Sequence, residues 1–547
     1  MLLFDHGPNF VWEVHNNMKT AQKLMSVLLS LTMLLALNAC GESADTQTDA
    51  SSLGAETENT LYIGACGYTI DNCDPRESRN MLTLYGIYDT LFYHDYSSGK
   101  DELKGLLAED YEYLDNEDGT YTFHVKLREN CYFASGKEIT ADDVLSTWNH
   151  LVEMGMDAQH PYLNMDESYT EGDHDIYFVF NAYEPEIQHY MSLFTFSIVN
   201  SDYWDAATDE DWWDKPDESG AYELEEMVSG SHVLLKVRDD YWGWNVIQER
   251  PQYDYLMVYY YSEASTMMVD YETGRLDICL NISTNDIQRV MEEGLEETTM
   301  RQLYGGGMIY LVMNNSSQYL QDARVREAIR YAIDFEGAFD VAVGVAGQIA
   351  TGYIPDGALY RTEYGIPEHN IEKARELLES AGYGNGMDLR IVISNTNMYT
   401  SYAEVFQSYL AEIGITLTIE SYDPATVLTM QRDGDCDLTM YSFSGNVNFP
   451  TETFTQMLST SLVKATAITD GAIDEPYMTG RYSLDEAEAE QSVKKLQDIM
   501  NEGVYGIPLC QLGYAILYRD RVDGERVGNV GIHGVADLRF FDLKKEG

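Results

Sequence analysis

The chain has 547 residues, and its 34 Lys and Arg against 92 Asp and Glu give a formal charge of −58. Its hydrophobic share of 44% supplies far more buriable surface than an acidic disordered tail would contain. Carboxylates outnumber cations along nearly the whole length, which argues against nucleic acid or an anionic lipid surface as the partner of the folded part. The length corresponds to about two to four domains.

An uncharged apolar run, Leu24 to Leu37, follows Lys19 and Lys23. At 14 residues it is short for a membrane span and suits the core of a signal peptide. It ends in Leu37-Asn38-Ala39-Cys40, which resembles a bacterial lipoprotein signal: Leu three before the Cys and small Ala just before it, with Asn38 a departure. The resemblance implies that Cys40 is lipidated and becomes the mature N-terminus. The protein would then be held by lipid alone on the outer face of the bacterial cytoplasmic membrane. Residues 1–17 precede a natural start at Met18, and residues 40–59 are small, polar and acidic, as in a flexible tether. Six further cysteines permit disulfides in an exported chain, and Cys66 with Cys73 is the pair near in sequence. The absence of C-x-x-C argues against a zinc ribbon or a thioredoxin site.

Along the remaining chain, Leu61 to Ala65 reads as an opening strand. Alternating aromatics on both sides of Asp115-Asn116-Glu117-Asp118-Gly119 predict a hairpin spanning Tyr111 to Val125. Thr140 with Asp143 three residues on forms the start signal of a helix. Asp322 caps a second, whose Val325, Ala328, Ile329, Ala332 and Ile333 share one face. From Asn370 the pattern becomes regular. A helix closed by Gly382 leads to a strand from Leu389 to Ser394, and then to a helix stopped by Gly414. An alternating strand with Ile415, Leu417 and Ile419 follows, then a short helix opened by Asp423-Pro424 and a third strand, Leu438 to Tyr441. Such alternation predicts an α/β lobe with neighbouring parallel strands. Ligands of such lobes gather beyond the C-terminal strand ends, which here points to the loop from Ser442 to Pro450.

Four stretches, in order, make the chain resemble the extracellular solute-binding proteins of the peptide- and nickel-transport class (family 5), which serve ABC importers. They are Gly105 to Val144; Ser219-Gly220-Ala221-Tyr222 with Asp240-Tyr241-Trp242-Gly243 and Gly274-Arg275-Leu276-Asp277; Asp322 to Asp334; and Lys373 to Tyr383 with Gly506-Ile507-Pro508-Leu509. The resemblance implies an α/β, two-lobed fold of the class II periplasmic-binding-protein (Venus-flytrap) type with an extra small insert domain. Lobe I is expected at 60–90, 206–306 and 506–547, the insert at 91–205 and the second large lobe at 307–505. It further implies a monomer without cofactor that closes over a small peptide or other small solute and docks on permease subunits. The resemblance also implies that energy comes from ATP elsewhere, and the lack of a Walker A motif argues that this chain is not the ATPase.

In peptide-binding members the loop after the third strand carries a Trp and an Asp that pairs with the peptide ammonium. Those places are taken here by Phe443 and Asn446. Asn keeps a hydrogen-bond acceptor and loses the charge, which leaves a neutral or N-blocked peptide, a glycan-like solute or a metal chelate open as ligands. Tyr441 and Phe443 are expected either to stack on the ligand or to pack in the core. Arg79 is a candidate for a ligand carboxylate. No His lies between Ser442 and Pro450, against a nickel site there, and no metal ligand set is expected. G-x-S-x-G and H-E-x-x-H are absent, so an enzyme is not expected. A ligand-sensing surface lipoprotein is the rival from another class.

Overall fold

A computed structural model describes residues 59–68, 70, 72–75, 86–95, 102–153, 162–206, 216–244, 246–444, 449–524 and 537–545. Strand β1 (Thr60–Cys66) opens it. Beyond the short antiparallel pair β2 (Phe92–Asp95) and β3 (Glu102–Gly105) come β4 (Ala108–Asp115) and β5 (Tyr121–Leu127), the hairpin expected from its Asp-Gly turn. Gly119 takes φ +94° at that turn, a conformation that a side chain would oppose. With β6 (Leu163–Glu171) and β7 (Asp175–Phe180) these strands form a four-stranded antiparallel sheet in the order β4-β5-β7-β6. The helix Ala141–Glu153 packs Val144, Trp148 and Leu151 into the core that this sheet covers. At its start the Thr140 amide and hydroxyl both donate to the Asp143 carboxylate, each at 2.9 Å.

The chain then returns beside β1 with β8 (Tyr222–Val228), β9 (His232–Val237), β10 (Tyr255–Tyr261) and β11 (Ile278–Leu280). The long strand β12 (Thr298–Met313) precedes β13 (Gly347–Ile349), β14 (Met387–Ser394), β15 (Ile415–Tyr422), β16 (Leu438–Ser444) and the equally extended β17 (Gly506–Arg519). All eleven form one sheet in the order β15-β14-β16-β12-β17-β11-β1-β10-β9-β8, with β13 on β17. The parallel set β15-β14-β16 is the α/β unit read from the sequence. Asn370, Thr396 and Asp423 each cap a helix there by accepting from backbone amides, and Gly382 and Gly414 follow helix ends with positive φ.

Among the described residues, two strands run through both halves of this sheet. The first part of β12, Thr298 to Tyr304, pairs with the end of β17, and Met308 to Val312 pairs with its start. Between them the register shifts, where Gly305-Gly306-Gly307 stands in the sequence. Separate apolar cores lie on either side. One is built around Leu61, Ile63, Leu235 and Val258, and the other around Leu311, Ile391, Phe406 and Leu438.

The cysteine expectation is corrected. Cys66 and Cys73 are both buried and are not bridged to each other, and Cys131, Cys279, Cys436 and Cys510 are buried without a disulfide as well. Their apolar surroundings push the Cys131, Cys436 and Cys510 thiols up to about 12, away from reactive thiolate. Among the described residues no helix is long and apolar enough to cross a membrane.

Candidate functional site

Residues on β16 alternate between faces because the strand period is two. Leu438 and Met440 enter the core under the flanking helices, whereas Tyr441 and Phe443 turn to the opposite face with Tyr310. On that face, at the C-terminal end of the strand, a cavity of about 690 Å³ is bounded by Tyr441, Ser442 and Phe443. Its second wall is the helix Asp474–Tyr482, through Tyr477, Met478, Arg481 and Tyr482. Gly480 lets this helix lie close to the helix Glu486–Gly503, since a Cβ there would stand 2.9 Å from Val493 Cγ2. The third wall comes from the antiparallel-sheet region, through Tyr162 and Tyr190. Tyr162 meets Tyr482 edge to face at 5.5 Å between ring centroids.

Arg481 ties the walls together. Its Nη2 lies 2.6 Å from Glu186 Oε2 and 3.7 Å from Glu184 Oε1, while Nη1 donates to the Tyr477 hydroxyl at 2.8 Å. Both carboxylates belong to the segment Glu184-Pro185-Glu186, fixed from behind by the Tyr113 hydroxyl donating to the Glu184 carbonyl at 2.6 Å. Thr451 Oγ1 reaches Glu186 Oε1 at 3.5 Å, and the rings of His189 and Phe449 lie 5.2 Å apart. All three charged side chains are nearly inaccessible, at 6% for Arg481, 3% for Glu186 and 0% for Glu184. Two buried carboxylates therefore share one guanidinium. Burial pushes the Glu186 carboxyl up to about 8, opposed by Arg481 and reinforced by Glu452 and Glu184. Burial also raises Glu184, opposed by Arg481, whose Nη2 stands 3.7 Å from its Oε1. Among the described residues no group of three or more His, Cys, Asp or Glu is placed to hold a metal.

The family model of bacterial extracellular solute-binding proteins, family 5, matches residues 102–466. The chain belongs to that family. A curated relative, the dipeptide-binding protein of Escherichia coli K12, is 25% identical over 398 residues, covering 67% of this chain and 72% of the relative. The solved structure of DppA from Helicobacter pylori with the peptide STSA matches with a TM-score of 0.69 at 20% identity, over 89% of this chain and 99% of that one. NikA from Staphylococcus aureus with Ni(L-His)2 matches with a TM-score of 0.68 at 19% identity, over 89% and 100%. These structural likenesses establish the two-lobed α/β fold of periplasmic binding proteins.

Within this solute-binding protein the structure brings Tyr441 and Phe443 to one cavity, and their exposures separate them. Phe443 is 3% exposed and packs edge to face on Tyr310 at 5.1 Å, while Tyr441 is only partly buried beside it at 4.6 Å. Arg79, Asn446 and Cys40 lie outside the described residues. Arg481, Glu184, Glu186, Tyr162, Tyr190 and Tyr482 were missed in the sequence, because 295 positions separate Arg481 from Glu186 and no local spacing links them. No local signal marks them: Asp474 to Tyr482 is mixed in polarity, and an Arg within it reads as an ordinary surface cation.

Proposed function

We propose that the chain is the lipid-anchored substrate-binding component of an ABC importer, which encloses a peptide or peptide-like solute and delivers it to membrane permease subunits. The observation that carries this reading is the 690 Å³ cavity at the end of β16, walled by two regions of the chain that meet around it. Its volume falls within the range of about 300–1,000 Å³ typical of small-molecule sites. Tyrosine rings, one carboxylate (Glu452) and one guanidinium (Arg481) line it, a mixture suited to a solute with an apolar body and polar ends. Relatives named for dipeptide binding support the peptide class. In this reading lobe I comprises 60–90, 206–306 and 506–547, the insert 91–205, and the second large lobe 307–505. The β12–β17 crossing at Gly305–Gly307 is the hinge, and Cys40 carries the lipid that keeps a monomer at the outer face of the membrane.

Native mass spectrometry of the purified protein, with identification of whatever unfolding releases, tests the ligand. A heterogeneous set of short peptides is expected. A single non-peptide mass overturns the peptide class and moves the assignment to another solute.

A further inference from the structure

The region of β4 to β7 leaves and rejoins the chain next to β1 and β8, and it is sewn to that half by backbone bonds. The Ile198 amide donates to the Asp89 carbonyl at 2.8 Å and the Ala134 amide to the Glu218 carbonyl at 2.8 Å. The α/β half is joined to that same side through the strands that cross at Gly305–Gly307. The contact of Glu184, Glu186, His189 and Tyr162 with Arg481, Thr451, Phe449 and Tyr482 therefore closes a ring around the cavity. Any opening at the glycine-rich crossing that widens the cavity has to separate these side chains. Among the described residues they meet through side chains, in contrast to the backbone ladders on either side of them.

We propose that Arg481 is the positioning residue of a proton-dependent latch, which fastens the insert to the α/β lobe by bridging Glu186 and Glu184 and releases them when the lobes part. This rests on the two-lobed binding reading above. Two carboxylates meeting one guanidinium out of water leave a surplus negative charge. Among the described residues, those facing Glu186 add no further guanidinium or ammonium: Glu184, His189 and Tyr190 lie on its own segment, Glu452 and Thr451 on the facing turn, and Tyr477 and Tyr482 on the Arg481 helix. His94, from β2, meets His189 at 3.0 Å and stands one residue further off. Closing the latch with both acids ionised is unfavourable, and taking up one proton restores neutrality. The shift supports the sign. A carboxyl near 4.5 when open and about 8 when closed binds a proton on closure, so the closed form is favoured as pH falls from 8 towards 4.5 and weakened as pH rises through 8.

The test uses the ligand-free, full-length protein at 0.15 M salt. Small-angle scattering and hydrogen exchange of residues 184–190 and 474–482 are followed from pH 6 to pH 9. The wild type is expected to expand and lose protection in both segments together as pH rises from 6 to 8, with the closed-to-open ratio falling close to tenfold per pH unit over that span and levelling off above pH 8. Glu186→Gln, which keeps the shape and removes the ionisation, should stay closed and flatten the profile. Arg481→Met should open the contact at every pH while β1, β10 and β14 keep their protection. A Gln variant with the wild-type pH profile, or a wild type unchanged across the range, overturns the latch. Because no solute is used, either outcome is independent of which ligand the cavity takes.

Discussion

Two buried clusters in this protein have the same stoichiometry, two carboxylates to one guanidinium, and are built to opposite ends. In the first, Arg539 grips Asp537 through Nε at 2.9 Å and Nη2 at 2.7 Å, and reaches Asp89 through Nη1 at 3.3 Å. Asp89 receives the Tyr241 hydroxyl at 2.9 and 3.0 Å, so the inaccessible carboxylate is well supplied with donors. This cluster staples the C-terminal segment to the half of the sheet around β1, where nothing needs to move. In the second, around Arg481, Glu184 stands 3.7 Å from the guanidinium and Glu186, at 2.6 Å, carries most of the pairing. A fully satisfied polar network rigidifies, whereas a buried charge with poor pairing is costly in place and is relieved when the contact parts and water returns. The difference matches a permanent joint against a separable one.

Three experiments would break or sharpen that contrast. The largest effect is expected from Arg539→Met, which leaves Asp89 buried beside Tyr241 without its cation. Unfolding monitored by denaturant should show a loss of about 3–5 kcal/mol. Arg481→Met should cost clearly less, because its acids can reach water by parting the contact, and equal losses would erase the distinction. Next is Asp89→Asn. Burial pushes the Asp89 carboxyl up from 3.8 to about 7, against the pull of Arg539, so folding binds a proton between those values. The wild type should therefore lose up to about 1.4 kcal/mol of stability per pH unit from pH 4 to 7 through this group. Thermal melts of the Asn variant across that window should be flatter, and an unchanged slope would place the proton elsewhere. The smallest effect is expected from Glu184→Met. Replacing this weakly paired buried carboxylate by an apolar chain should be neutral or stabilising by about 1 kcal/mol. A loss of several kcal/mol would show that Glu184 is as firmly held as Asp89.

Much of the α/β half was legible locally. Asn370, Asp423, Gly382 and Gly414 sit at the helix ends where their capping and left-handed tendencies put them, and the alternation in Ile415, Leu417 and Ile419 marks a half-buried strand. Tyr441 and Phe443 could be placed near a cavity from the rule that ligands gather at strand ends, but which of them is core could not be read. Both occupy the same strand face, and their exposure depends on Tyr310, which arrives on a distant strand. Cys66 and Cys73 show the reverse error: closeness in sequence suggested a bridge, and each thiol found its own apolar surroundings.

Taken alone, the sequence determined the apolar periodicities, the turn and cap positions, the signal-like N-terminus and the order of motifs that place the chain in its family. These are short-range properties, set by backbone sterics, by hydrogen bonds within one turn and by side-chain periodicity. Only the tertiary structure decided that β12 and β17 cross both halves of one sheet, that Arg481 meets Glu184 and Glu186, and that Asp89 is answered by Arg539. Each of those contacts joins residues far apart in the chain, and each depends on burial, which removes water from the charges and makes the count of partners decisive.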